Sequence, residues 1–478
     1  MYMLIKSAIN EKSLNTFFVG LISCFFGIMI LQYDFKAFAI LGAMTFLLIF
    51  FTKIEYAFYF LLASRSIVDV FYDVEAAGDV RITQYMGVSV AALSLCYFLF
   101  SGYNVFRLSV NKVYGVFMGL SIIPIFFTQD FITGFGYWLK LLQGFLILNI
   151  TILVVLKMED KSYKKRMNAV CWCIIIALLI PFVLFLRNYL KGIHTELGGY
   201  IRYSTQDFGG YTNNFSYYLL AVFPIFLFFY SKSVKNSGKV LWFIILAIML
   251  FIIYQTYTRN VWIGIAVLLL VWNLVRKNFK ITVPVLCLII FMAVFNPTVR
   301  DRFSDIYVIL KTGSFFRLDP DLLSARIGIW QANFDYFLNY STIIKKLFGN
   351  GFDIQSKIAN LRLKDSIPEH NNYLTLLMTT GICGLSVYSL YLFTLFRESF
   401  KLFRYTKQFY FKCLSVVFIS VLFAYVIICF FTHMLWKINF QYYFSAFAGL
   451  VIAANILEEK NRINADAQNP KFEANANE

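Results

Sequence analysis

Long runs of apolar residues, interrupted by short polar stretches, recur from one end of the chain to the other. A helix needs about 20 predominantly apolar residues to cross the hydrocarbon of a bilayer, with roughly 17 as the lower limit. That rule predicts spans over 14–32, 35–52, 54–70, 84–101, 112–128, 136–156, 168–186, 211–230, 239–256, 259–275, 280–295, 371–395, 411–432 and 439–457. The expected fold is an all-α integral membrane protein, a polytopic bundle of about 14 transmembrane helices. One interruption stands apart, the polar segment 296–370. Loops longer than about 15 residues are usually functional or disordered. This one carries a helical pattern, with Ile327, Trp330, Phe334, Phe337 and Leu338 expected on one face. It then reaches Gly349-Asn350-Gly351, a turn signal. A large helical loop folded against the membrane surface is the expectation.

Charge fixes the orientation. Cytoplasmic loops of membrane proteins are enriched in Lys and Arg. With the N-terminus inside, basic residues fall at Lys6 and Lys12, Lys53, Arg107 and Lys112, Lys157–Arg166, Lys232–Lys239, Arg276–Lys280 and Arg397–Lys412. The alternate short loops at Gln32–Asp34, Asp69–Asp79, Thr128–Gly136 and Thr432–Asn439 are poor in base. Both termini are therefore expected in the cytoplasm, and 296–370 outside. The segment 187–210, with Arg187, Lys191, His194 and Arg202, is the one exception of modest length. Three regions follow: helices in 1–200, a second membrane region in 201–457 that includes the loop, and a polar cytoplasmic tail in 458–478.

Composition agrees with a bilayer as solvent. Of 478 residues, 60% are hydrophobic, 19% aromatic and only 14% charged, against roughly 25% charged in soluble domains. The mean hydropathy is +0.68. A net charge of +17 would suggest nucleic acid, but the basic residues are dispersed over short loops. No nucleic-acid partner is expected. The eight cysteines form no CxxC or Cys/His cluster, so no metal and no cofactor is expected from them.

Candidate chemistry lies in a few polar residues at membrane boundaries. The chain has three histidines, and His370 sits in Ile367-Pro368-Glu369-His370-Asn371-Asn372-Tyr373, where the long loop re-enters the membrane. Pro368 suits a helix start, which would put His370 near the first turn. The bland reading is an interfacial histidine satisfying loop backbone, and His194 and His433 read as blander still. Arg259 lies in Tyr257-Thr258-Arg259-Asn260, between two spans with almost no loop. A cation there needs an anion or a wet cavity, or else snorkels to the interface. Arg326 opens the loop helix, and Arg202 precedes the Asn213-Asn214 pair that starts a span. All four are expected on the outer side. Arg65 and Asp69, four apart on one span, read as a structural ion pair, with a substrate path as the alternative. Lys140 is open between the same two roles.

These pieces also fit a pattern. His370-Asn371, nine residues, then Gly381-Ile382-Cys383-Gly384 resembles the H-[NSQ]-x9-G-x-x-[GTY] motif of the O-antigen ligase and polymerase superfamily. Arg202 followed by Asn213 resembles its R-x-x-G-x-F-x-x-x-N segment, with Thr205 in place of glycine. Thr258-Arg259-Asn260 is similar to its [ST]-R-[GS] turn, and Ser324-Ala325-Arg326 with Trp330 to its S-G-R-x-x-x-W helix start. Gly349-Asn350-Gly351-Phe352 is similar to its G-x-G-[FLY] turn. The likeness covers roughly 200–395 and marks 201–457 as the family-like region.

The resemblance implies glycosyl transfer from an undecaprenyl-pyrophosphate-linked glycan at the periplasmic face of a bacterial inner membrane. Arg259 and Arg326 would chelate the pyrophosphate leaving group, and His370 would take the proton of the acceptor hydroxyl. Arg202, Asn213, Glu369 and Asn371 would bind substrate or orient the ring. No metal is implied, because the arginines serve the leaving group. The acceptor is a second lipid-linked glycan in a polymerase and lipid A–core in a ligase. The departures from the motifs and the span count point to a polymerase of O-antigen, capsule or exopolysaccharide, with a ligase as the alternative. Membrane lipids are implied partners, and a chain-length regulator stays open as another. A flippase for the same lipid is the competing class, although no repeat of the kind transporters carry is evident.

Overall fold

The computed structural model of the chain describes residues 45–46, 48–50, 52–70, 75–77, 80–157, 162–197, 200–203, 212–277, 283–284, 326–354, 358 and 370–468. Within them helices dominate: α1 (Ile54–Val70), α2 (Ile82–Phe100), α3 (Ser109–Leu120), α4 (Phe131–Leu156), α5 (Tyr163–Leu190), α6 (Thr212–Lys232), α7 (Asn236–Gln255) and α8 (Arg259–Arg276). After the long loop come α9 (Arg326–Asn339), α10 (Ile343–Phe348), α11 (Asn372–Tyr405), α12 (Phe409–Ile428) and α13 (Ile438–Gln468). Two antiparallel hairpins interrupt them: β1 (Glu75–Ala77) with β2 (Val80–Arg81), and β3 (Thr195–Leu197) with β4 (Tyr200–Arg202).

Among the described residues, nine helices are long and apolar enough to cross a membrane. They coincide with nine of the predicted spans. The predicted span 14–32, and most of 35–52 and 280–295, lie outside the described residues. The other two correspond to α1, which has 17 residues, and to the short apolar helix Tyr85–Phe100 within α2. By these helices the chain is a multi-pass membrane protein, helical among the described residues apart from the two short hairpins.

Polar signals set where the helices begin and end. Asp130 caps α4 by accepting from the amides of Ile132 and Thr133, at 3.1 and 3.2 Å. These amides have no partner within the helix, so a short acceptor side chain ahead of them stabilises the start. Asn371 caps α11 in the same way, accepting from Tyr373 and Leu374 at 3.0 Å each. In the interior α13 runs along α4, α8 along α12, and α1 along α5. The helices α6 and α13 are almost enclosed, whereas α7 presents most of its surface outward. A buried charge within the bundle needs a partner, because no water reaches it. Arg65 donates to Asp69 at 2.5 Å along α1, both buried, with the guanidinium 5.6 Å from the Tyr442 ring. This agrees with the structural reading of that pair.

Residues 326–354, in the long loop, are folded onto the bundle. Helix α9 forms where the pattern predicts it, but the buried stripe is Ile329, Asn333 and Phe337. Phe334 and Leu338 are 50% and 61% exposed, so the expected face is rotated by part of a turn. Phe337 packs with Ile354, Ile358, Leu374 and Met378, and Trp330 lies against them. That small cluster fastens α9 to the first turns of α11.

The Gly349-Asn350-Gly351 turn docks where α11 breaks. Gly381 leaves helical geometry at φ 71°, ψ −173°. A Cβ on Gly381 would lie 2.3 Å from the Leu347 carbonyl oxygen, and one on Gly349, at φ 98°, would lie 1.9 Å from that of Thr379. Only glycine permits both the left-handed backbone and so close an approach. Asn350 locks the contact: its amide donates to the Met378 carbonyl at 2.9 Å, and its side-chain oxygen accepts from Ser341 at 2.9 Å. Both glycine pieces of the sequence pattern are therefore parts of one backbone joint.

Candidate functional site

His370 lies beside the loop 429–437, which links α12 to α13 through a single 3₁₀ turn, Met434–Trp436. This loop is the hub of the site. The Asn372 amide donates to the Cys429 carbonyl at 2.7 Å, and the Asn372 side-chain oxygen accepts from Leu435 at 3.1 Å. Asn260 donates to the Phe431 carbonyl at 3.0 Å. The Tyr217 and Thr432 hydroxyls lie 3.0 Å apart. One loop thereby gathers the starts of α6, α8 and α11 at one end of the bundle.

Arg259 is the first residue of α8. The chain reverses from α7 within three residues, and Tyr257 adopts a left-handed φ of 48° to make the turn. The Thr258 hydroxyl shares hydrogen bonds with Ser216 at 2.8 Å and with Asn213 at 3.3 Å, which joins the arginine turn to the start of α6. Burial and the neighbouring Tyr254 and Tyr203 push the Tyr257 phenol up to about 12, so it is neutral across the physiological range. The hairpin β3–β4 reaches the same turn, because the Tyr203 amide donates to the Gln255 carbonyl at 3.2 Å. That contact puts the backbone of Arg202 next to the arginine turn.

His370 precedes the α11 cap, Asn371, and lies outside the helix, two residues before its first residue, Asn372. Its φ is 48°, uncommon for a residue with a side chain. Its amide donates to Nε2 of His433 at 2.9 Å, and the two imidazole rings lie 5.3 Å apart between centroids. The other ring nitrogen of His433 is 2.9 Å from the Thr375 hydroxyl. The aromatic rings of Tyr137 and Phe352 pack together with Trp436 of the loop. The ammonium of Lys140 lies 4.4 Å from the Tyr137 ring. Lys437 ends the loop, and burial, followed by the nearby Lys140 charge, pulls its ammonium below the ordinary lysine range.

Of the sequence-predicted residues, Arg259, Asn213, His370 and Asn371 are thus brought to elements that share the hub. The Asn371 carboxamide oxygen is committed to capping α11. Arg326 begins α9 and Arg202 ends β4, with side chains outside the described residues, and Glu369 lies outside them altogether. Sequence reasoning took His433 as a bland interfacial histidine, quoted Asn260 only as part of the arginine turn, and passed over Thr375. The one signal for His433 was its place at an outer helix end in a chain with three histidines. Among the described residues no group of three or more His, Cys, Asp or Glu side chains is assembled as for a metal.

Fold and site together define a multi-pass membrane protein with a histidine- and arginine-bearing polar centre at one end of its helices. The family profile described as O-antigen ligase matches residues 244–389, from α7 through the first half of α11. The O-antigen ligase of Salmonella typhimurium (strain LT2) is 24% identical over 259 residues, 51% of this chain and 59% of that protein. The match thus spans less than two thirds of the relative's own length. Both findings bear out the resemblance to the O-antigen ligase and polymerase superfamily.

Proposed function

We propose that the chain is a membrane glycosyltransferase of the O-antigen ligase kind. It moves a glycan from an undecaprenyl-pyrophosphate carrier to a lipid A–core acceptor at the extracytoplasmic face of a bacterial inner membrane. The carrying observation is that the Arg259 turn and the His370 turn are tied to one loop, through Asn260 to Phe431 and through His370 to His433. The profile match, 244–389, contains Arg259, Arg326 and His370. The motif departures at Thr205, Asn260 and Ala325 favour a polymerase, but both matches carry the ligase description, and one departure has a local reason. Asn260 is the residue that fastens its turn to the loop.

The chemistry suits these groups. The acceptor hydroxyl oxygen bonds to the anomeric carbon as the bond from that carbon to the pyrophosphate oxygen breaks. The hydroxyl proton passes to the His370 imidazole, and the electron pair leaves with the pyrophosphate. Guanidinium groups stay charged at any physiological pH and can grip a phosphate with two parallel donors, so Arg259 and Arg326 would stabilise the departing charge. Such a displacement inverts the anomeric centre. The donor, the acceptor and the sidedness are parts of this reading.

Purified protein in detergent, supplied with a polyprenyl-pyrophosphate-linked repeat unit and a chelator, tests it. One product that forms only when lipid A–core is added is the expected result. A ladder formed without core would make the protein a polymerase. An intact donor under both conditions, with folded protein, would remove the transferase reading and favour a transporter.

A further inference from the structure

Two of the three histidines in the chain touch, and the hydrogen bonds around them fix the form of one ring. A backbone amide can only donate, so Nε2 of His433, 2.9 Å from the His370 amide, is an acceptor and carries no proton. The Thr375 hydroxyl lies 2.7 Å from the Asn371 carbonyl and can only donate to it. Its oxygen is therefore the acceptor for the other ring nitrogen of His433, at 2.9 Å, which must carry the proton. The chain of bonds runs from the His370 amide to His433, to Thr375, to the Asn371 carbonyl. It closes on the residue after the one where it begins. Every link is satisfied by one state of His433, the neutral ring protonated on Nδ1.

The ring that this network serves sits on a strained residue. A left-handed φ of 48° is unfavourable for histidine, and persists only where surrounding contacts determine it. The amide that His433 accepts belongs to that same residue. His433 lies in the loop that also holds the Arg259 turn, and it falls outside the stretch matched by the family profile.

We propose that His433 is a positioning residue for His370: as the neutral Nδ1-protonated ring it holds the left-handed turn from which His370 acts. This rests on the reading of His370 as the base. Adding a proton to Nε2 of His433 would set a donor against the His370 amide and release the turn. Among the described residues, the titratable groups nearest His433 are His370 itself and, on the His433 loop, Cys429 and Lys437. Tyr373 of α11 lies near Cys429, and Tyr217 of α6 and Lys140 of α4 lie near Lys437. Activity thus depends on two imidazoles being neutral at once.

Three variants separate the possibilities. His433→Leu removes the acceptor and is expected to lower kcat by roughly 10- to 100-fold, with the KM for donor within about 2-fold. His433→Gln can offer its amide oxygen where Nε2 lies but cannot gain a proton. It is expected to keep kcat within about 3-fold and to reduce the acid limb of the rate profile from about two protons to one. Thr375→Val, which leaves the Nδ1 proton without an acceptor, is expected to fall between them. A structural readout independent of turnover is ¹⁵N-histidine NMR of the full chain in lipid nanodiscs, assigned by the signal lost in His433→Gln. The expected signal is a neutral Nδ1-protonated ring at neutral pH. An Nε2-protonated or cationic ring there, or full activity with an unchanged pH profile in a folded His433→Leu, overturns the proposal. A wild-type chain that shows the expected ring state yet transfers no glycan would overturn the transferase reading instead.

Discussion

Arg259 owes its position to its neighbours. Tyr257 makes the reversal, Thr258 binds Ser216 and Asn213, and Asn260 holds the loop, so the arginine sits between anchored residues at the start of α8. Replacing it with lysine keeps the charge but removes the planar pair of donors. Arg259→Lys is expected to reduce kcat by roughly 10²- to 10³-fold while expression and melting temperature stay near wild type. Initial rates of donor consumption at saturating acceptor would measure it, and wild-type rates would remove Arg259 from the leaving-group role. A lone arginine and a lone histidine at apolar boundaries are conspicuous in a sequence, because each needs a reason to be there. His433 is not conspicuous. Its partner lies 63 residues away, and what matters is a ring nitrogen accepting from a backbone amide, which no side-chain pattern encodes.

Helices α10 and α11 meet through two glycines whose positive φ and backbone contact allow no side chain. The pattern of the sequence marked both as turn or motif residues without saying that they belong to one contact. Gly349→Ala and Gly381→Ala each force a Cβ against a carbonyl oxygen and a left-handed backbone onto alanine. Each is expected to cost roughly 2–4 kcal/mol, combining backbone strain with overpacking. Thermal unfolding in detergent, followed by tryptophan fluorescence, should show the loss, and a melting point equal to wild type would contradict the joint. The α9 helix shows where periodicity stops being informative. Its apolar residues cover more than one face, so the hydrophobic pattern gave the helix but not its rotation. Asn333, a polar residue, lies in the buried stripe, while Phe334 and Leu338 face outward.

For the whole molecule, the bilayer makes the architecture legible. Apolar runs of spanning length and alternating basic loops predict a many-helix membrane bundle, and nine of the predicted spans coincide with helices able to cross. The gathering of the starts of α6, α8 and α11 around 429–437 was beyond reach of that logic, because it depends on hydrogen bonds between elements far apart in sequence. The loop turns scattered boundary residues into one centre, and the account of function depends on that centre performing the transfer. The most direct measurement is single-turnover donor consumption by His370→Ala in nanodiscs, with binding of the lipid-linked donor measured on the same sample. The expected result is a rate lowered by roughly 10²- to 10⁴-fold with donor binding retained. A rate equal to that of the wild-type chain would contradict the account.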